Sequence, residues 1–416
     1  LSRSRLFAAK IPAIVPAIIL AVAALATAGA ARADDYVAVR GVYYREASTR
    51  VVQPMVELER DSPSGVDVGA HFLIDAITSA SAAAGTAIDN VFTETRNEAG
   101  LSLRKRWSRS EISVGYKYSA ESDYWSHAVG LSGAQRFWGD TAMLRLALGR
   151  NFDSMTSRGR TPDCAVGVGN VICPLDVWFA GLSYTQVLSP VSIAQVSFDS
   201  AYLDGFQGNL YRQVPGKGYE VLPYGVETVA GNAVKADQGQ RLRMAITARA
   251  GYVVRDTGTG FQLNYRYYWD TFPGTAAANA PSDPWGIRAH TIEARVFQPI
   301  GPELELRVLG RVYIQNRGAA FWCDTIANPN CYAPGAAYYS SDPKLGPMNT
   351  EYLEAKVYWH AEAWRAIRFL RWFSAGTFEF SYGRYTQSTS FGGPAQDRPW
   401  WCLITCVIQA GYTMPY

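Results

Sequence analysis

Alternation of apolar and polar residues with period 2, held for about ten residues and then broken by a turn, recurs along this whole chain. In the segment opening at residue 110, Ile112, Val114, Tyr116 and Tyr118 alternate with Glu111, Ser113, Gly115, Lys117 and Ser119. Later, Ala142, Leu144, Leu146 and Leu148 alternate with Thr141, Arg145 and Gly149. Phe261, Leu263, Tyr265, Tyr267 and Trp269 likewise face away from Gln262, Asn264, Arg266 and Asp270. Successive side chains of a strand point to opposite faces, so each segment has one apolar and one polar face. About 9–11 residues is also what a tilted strand needs to cross a bilayer. Sixteen segments fit, beginning near residues 36, 50, 65, 93, 110, 124, 141, 176, 190, 240, 260, 287, 303, 351, 372 and 404.

A soluble sandwich would alternate too, and the connections decide between the two. Links that follow even-numbered segments are mostly short and turn-like, as at Trp138-Gly139-Asp140 and Leu188-Ser189-Pro190. Links that follow odd-numbered segments are often long: 76–92, 152–175, 202–239, 272–286, 316–350 and 386–403. Short turns on one rim and long loops on the other mark an outer-membrane barrel. The expected fold is all-β: a transmembrane antiparallel β-barrel of about sixteen strands with short periplasmic turns and long extracellular loops. Composition agrees. Aromatics at 13%, charged residues at only 18% and a formal charge of +3 exclude a disordered or nucleic-acid-binding polymer. Near-neutral overall hydropathy excludes a bundle of membrane helices.

Arg3, Arg5 and Lys10 precede an apolar run, Ile11 to Ala31, and Ala31-Arg32-Ala33 places small residues at a cleavage position. Residues 1–33 therefore read as a secretory signal peptide, and 34–416 as the barrel. Removing that segment takes the formal charge from +3 to −1. In an exported chain the six cysteines read as local disulfide candidates: Cys164 with Cys173, Cys323 with Cys331, and Cys402 with Cys406. The last pair is too far apart along an extended strand. Either the sixteenth strand starts after Cys406 or that pair stays open. No paired CxxC spacing occurs and the four histidines are scattered, so neither metal nor cofactor is expected. Asp324, Asp342 and Glu351 form at most a weak calcium pattern.

Several stretches in order resemble a family of bacterial outer-membrane barrels known only as a domain of unknown function. They are Asp75 to Ser81 (DAITSAS), Val114-Gly115-Tyr116, Ser119 to Tyr124 (SAESDY), Gly205 to Val214 (GFQGNLYRQV) and Tyr265 to Asp270 (YRYYWD). Trp285-Gly286-Ile287 with His290 to Glu293, Tyr313-Ile314-Gln315, and Tyr339 to Asp342 complete the series. The resemblance implies an exported barrel and carries no established activity. Here residues 272–284 are an insert between Asp270 and Trp285.

Sixteen strands enclose a space that side chains cannot fill, so the polar faces should line water. On that face of segments ten to thirteen fall Arg241, Arg243, Arg249, Arg266, Arg295, Arg307 and Arg311 against Asp270, Glu293 and Glu305. Segments four and five balance, with Arg96, Arg104 and Lys117 against Glu94, Glu98 and Glu111. Two readings stand side by side: a basic wall that favours anions, or charges that pair across strands and keep the lumen wet. Asp75 with Thr78, Ser79 and Ser81 reads as polar turn chemistry at a strand exit. Tyr412, Met414 and Tyr416 alternate to the last residue and resemble the membrane-insertion signal of such barrels. The implied partners are outer-membrane lipid, the barrel-assembly machinery and small polar or anionic solutes, with no nucleic acid. Passive, porin-like transport is the leading function. A closed barrel acting as adhesin, scaffold or partner of a secreted complex is the alternative. A hydrolase ranks last: His71, His290 and His360 are at hand, but no nucleophile motif is present, so no catalytic residue and no enzyme are expected.

Overall fold

In hydrocarbon no water is available to satisfy a strand's backbone, so sixteen such strands must pair with one another all the way round. That ring is what the computed structural model shows. It describes residues 35–45, 49–79, 92–156, 172–208, 212–229, 232–276, 280–325, 328–368, 370–389 and 404–415. The expected signal peptide (1–33), Ser81, Cys164, Cys402 and Tyr416 lie outside the described residues.

The strands are β1 (Tyr36–Arg45), β2 (Thr49–Arg60), β3 (Val66–Ser79), β4 (Phe92–Arg106), β5 (Ser110–Ala120), β6 (Tyr124–Phe137), β7 (Ala142–Thr156), β8 (Ile172–Ser189) and β9 (Ser192–Gly205). Three short ones follow: β10 (Gln213–Val214), β11 (Gly218–Tyr219) and β12 (Tyr224–Val229). The series ends with β13 (Asn232–Val253), β14 (Gly260–Thr271), β15 (Arg288–Ile300), β16 (Leu304–Arg317), β17 (Met348–His360), β18 (Thr377–Thr389) and β19 (Ile404–Pro415).

Each barrel strand pairs antiparallel with its neighbours, β9 pairs directly with β13, and β19 pairs with β1 to close a sixteen-strand cylinder. β12 pairs only with β13, most of it along the segment that β13 extends above the barrel. Observed strand starts fall within four residues of the expected ones, with two exceptions. β13 begins at Asn232 rather than near 240, because its first residues pair with β12, before the stretch that pairs with β9 and β14. β18 begins at Thr377 rather than near 372, because 371–373 form a 3₁₀ turn. β19 starts before Cys406, whose thiol is free. Its candidate partner Cys402 lies outside the described residues.

The two faces differ as alternation requires. Leu101 (64% exposed), Leu146 (51%) and Leu353 (61%) point outward with Ile112, Val114, Leu131, Leu263, Ile292 and Phe380. Apolar side chains this exposed on every strand pair would draw a soluble protein into aggregates; here they form the belt that meets lipid. His127 and His290 also face outward, each bonded to a tyrosine hydroxyl (Tyr116 at 2.7 Å, Tyr265 at 2.8 Å).

Inside, charges pair across strands. Arg104 and Arg106 both reach Asp67 (3.0 and 2.8 Å), and Glu98 bridges Lys117 (3.3 Å) and His71 (3.2 Å). The closure itself carries such a network. Glu379 on β18 accepts from Arg40 of β1 (2.9 Å), Lys356 of β17 (2.9 Å) and Gln409 of β19 (3.1 Å). Arg40 continues to Glu57 of β2 at 2.5 Å. The Arg40–Glu379 contact passes over Gly411 of β19, where a Cβ would come within 2.7 Å of Glu379 Oε1 and 2.9 Å of Arg40 Cγ. Five strands are thereby tied at the seam.

Glu379→Ala would leave one arginine, one lysine and one amide without their shared acceptor. It should destabilise the folded barrel by about 2–3 kcal/mol. The gel-shift transition of the folded form on heating should move down accordingly; an unchanged transition would show that the seam network contributes nothing.

Candidate functional site

Long loops that merely covered a barrel would show no core of their own, but here they have one. Phe272 and Trp285 from the β14–β15 loop pack with Phe321, Tyr338 and Leu345 from the β16–β17 loop in a single buried cluster. Trp285 meets Phe321 edge-on at 5.4 Å between centroids. Cys323 and Cys331 form a disulfide within the second loop, with Cα atoms 6.4 Å apart. Beside it Tyr332 donates to the Ser340 carbonyl at 2.6 Å, and burial pushes the Tyr332 phenol up to about 12. The β9–β13 loop joins through a main-chain bridge between Val221 and Tyr339 and an ion pair between Arg212 and Asp342 (2.6 Å). Cys173 is also disulfide-bonded, its candidate partner Cys164 being outside the described residues.

The cap is pinned to the lumen wall by one buried constellation. Asp270 accepts from Arg241 Nε (2.8 Å), from the Tyr268 hydroxyl (3.1 Å) and from the Ile287 amide (2.7 Å). Arg241 lies 4.1 Å above the Trp285 ring, whose Nε1 donates to the Gln240 carbonyl at 2.9 Å. Arg241 and Asp270 are both buried. They act as an anchor, a role that parity along the strand does not reveal.

The other residues of the expected basic wall all face the lumen, but mostly in pairs. Arg295 and Arg311 share Glu293, each at 2.8 Å, and Asn264 donates to the same carboxylate at 2.9 Å. Arg307 pairs with Glu305 and lies 4.0 Å over the Tyr358 ring. Arg266 sits 3.8 Å from Asp199 of β9, an acid the sequence reading missed. It belongs to a strand that only register places beside the wall. Arg249 bonds Asn264 at 3.0 Å. Among the described residues Arg243 and Arg249 have no carboxylate partner, and Arg243 Nε has no acceptor. Below the cap, Asp199, Arg249, Arg266, Glu293 and Arg311 line a recess of 630 Å³ in this wall.

A second recess, of 530 Å³, lies at the mouth itself. Glu121 and Asp123 from the β5–β6 turn line it together with Arg243 and the loop residues Arg212, Glu220, Trp285, Asp342 and Lys344. Acids and bases therefore border one opening. Burial, and then the neighbouring Glu94 carboxylate, pushes the Glu121 carboxyl above its ordinary range. Glu94, Glu121 and Asp123 each bring an oxygen within 4.8 Å of the others, the one group of this kind among the described residues. The weak calcium pattern is not assembled: Asp342 is engaged by Arg212 and caps a 3₁₀ turn, and Glu351 is exposed on β17. Asp75 is no turn residue either; it is buried and ion-paired with Arg96 at 2.5 Å. Of the remaining histidines, His71 faces Glu98 and His360 bonds the Thr377 hydroxyl at 2.8 Å. Among the described residues no histidine joins a hydroxyl and a carboxylate in one relay. Of the terminal motif, Tyr412 donates to the Phe373 carbonyl at 3.1 Å.

If Asp270 holds the cap, Asp270→Ala should speed amide hydrogen exchange at Ile287 at least tenfold, about 1.4 kcal/mol of local stability. Exchange at the wild-type rate would place the anchor elsewhere.

Among solved structures the chain is similar to OccD3 (OpdP) of Pseudomonas aeruginosa, at 10% identity and a TM-score of 0.42 over 92% of this chain and 90% of that one. It is similar to OccK2 (OpdF) of the same organism, solved in complex with glucuronate, at 9% identity and a TM-score of 0.41 over 93% and 99%. CdiB from Acinetobacter baumannii gives 7% identity and a TM-score of 0.48 over 92% of this chain and 61% of that one. Comparison with curated proteins gives no sequence match. The family described as "Protein of unknown function (DUF3570)" matches residues 80–168 and 176–369. That match takes in the loops of the cap and most of the barrel wall, and the chain belongs to this family.

Proposed function

We propose that this outer-membrane barrel is a passive channel for small polar solutes, with a mild preference for anions. The observation that carries the reading is the mouth recess, where Glu121, Asp123, Glu220 and Asp342 meet Arg212, Arg243 and Lys344. Charges of both signs lining one opening order water there and favour small polar permeants over apolar ones. The anion preference comes from the two guanidinium groups left without carboxylates. Arg243 stands at the mouth and Arg249 in the recess below it, so a permeating anion meets them in sequence. The other five arginines of the wall are largely neutralised by their acids and add polarity rather than net field. No step of this function needs a nucleophile, a metal or a cofactor.

Planar-bilayer recording of refolded protein in a potassium chloride gradient tests the reading. The reversal potential should fall on the anion side, and Arg243→Gln with Arg249→Gln should move it toward zero with conductance retained. An absence of current would favour the adhesin or scaffold reading. Cation preference, or a reversal potential indifferent to both substitutions, would remove these arginines from selectivity.

A further inference from the structure

The periplasmic rim is made of short turns, none longer than six residues among the described ones, except at one place. Between β17 and β18 the chain inserts residues 361–376, AEAWRAIRFLRWFSAG, folded as 3₁₀ turns over Ala361–Ala366 and Arg371–Phe373. The segment carries Arg365, Arg368 and Arg371 against a single acid, Glu362. All three arginines are exposed, and none makes an ion pair among the described residues.

Its position is set by an aromatic ladder on the outer face of the barrel. Trp359 and Phe378 are cross-strand partners on the same face as the exposed Leu353 and Phe380. Trp364 packs edge-on against Trp359 at 5.0 Å and lies tilted against Phe378 at 5.1 Å. Phe378 continues to Tyr412 at 4.6 Å, and Tyr412 to Phe373 at 5.6 Å. The inserted segment therefore folds outward over the lipid-facing side of β17–β19, away from the lumen. Ile367 and Phe373 stay about 40% exposed there, at 40% and 41%.

From this placement we propose that residues 361–376 form a ledge that binds the headgroups of anionic phospholipids in the periplasmic leaflet. Aromatic rings at the level of the bilayer interface, apolar side chains beside them and unpaired arginines above are the arrangement by which an interfacial segment holds an acidic lipid surface. The occupant follows from continuity and charge. The ledge extends the belt that already meets acyl chains, and its net charge of +2 complements phosphate diesters. A guanidinium donates two parallel hydrogen bonds to such a group and keeps its charge at any physiological pH. Each basic residue near an anionic membrane surface contributes about fivefold in affinity.

The test uses the full chain in phosphatidylcholine nanodiscs with and without cardiolipin or phosphatidylglycerol, and counts retained lipids by native mass spectrometry. Wild-type protein should retain anionic lipid over phosphatidylcholine. Arg365→Gln with Arg368→Gln and Arg371→Gln should lower that retention at least tenfold. The corresponding lysine substitutions should keep it within about threefold, which separates loss of charge from loss of fold. Arg255→Gln, on the rim turn between β13 and β14, should have no such effect. Equal retention by wild type and the triple glutamine variant would overturn the proposal. So would displacement of the lipid by millimolar inorganic phosphate, which would mark a free-phosphate site. Binding of a soluble acidic protein to this surface in lipid-free detergent, lost in the same variant, would assign the ledge to a protein partner instead.

Discussion

Everything in this structure depends on the pairing of β19 with β1. A strand inside hydrocarbon cannot leave a row of amides and carbonyls unpaired, since each orphaned group costs several kcal/mol. An open sheet of sixteen strands would expose two such rows. Closing the ring removes both, and the closure is reinforced from each side. On the lumen face Glu379 gathers Arg40, Lys356 and Gln409 across the seam. On the outer face Tyr412 joins Phe378 and Phe373 in the aromatic ladder. The backbone ladder makes crossing the membrane possible; these side-chain contacts hold one register in preference to its neighbours.

Closure at sixteen strands has a second consequence. The enclosed space is too wide for side chains to fill, so selectivity has to be built by other means. In the proposed channel the loops build it. They share an apolar core, one of them is closed on itself by Cys323–Cys331, and they are fastened to the wall through Asp270 and Arg241. A cap held by a buried ion pair and a disulfide presents its charges in fixed positions, and an electrostatic filter needs fixed charges to work. The same elements explain why most of the wall's arginines are paired. An unpaired guanidinium on every strand would repel its neighbours, whereas alternating acids and bases keep the surface wet at little cost.

The architecture was legible in the sequence because period-2 alternation is a local property. Ile112 to Tyr118 state their own face without reference to any neighbour, and fourteen of the sixteen strand starts follow from such runs. What depends on register was not legible. Asp199 looks remote from Arg266 in the chain, yet the β9–β13–β14 pairing brings them together. Asp270 resembles any lumen acid until the Ile287 amide and Arg241 are seen to converge on it. The early start of β13 was hidden because Asn232 to Lys235 pair with β12 rather than with a barrel strand. The fifteenth segment was expected to begin near 372, but Arg371–Phe373 form a 3₁₀ turn that its aromatic residues do not reveal.

The most direct measurement of the central claim is thiol accessibility along β5 in lipid vesicles. Single cysteines would replace residues 111–119 in a Cys402→Ser, Cys406→Ser background and be exposed to a charged maleimide. The account requires a strict alternation: labelling at positions 111, 113, 115, 117 and 119, which face the bore, and protection at 112, 114, 116 and 118, which face lipid. Uniform labelling on both parities would mean a strand bathed in water, and uniform protection a filled interior; either would contradict a closed barrel with an aqueous lumen.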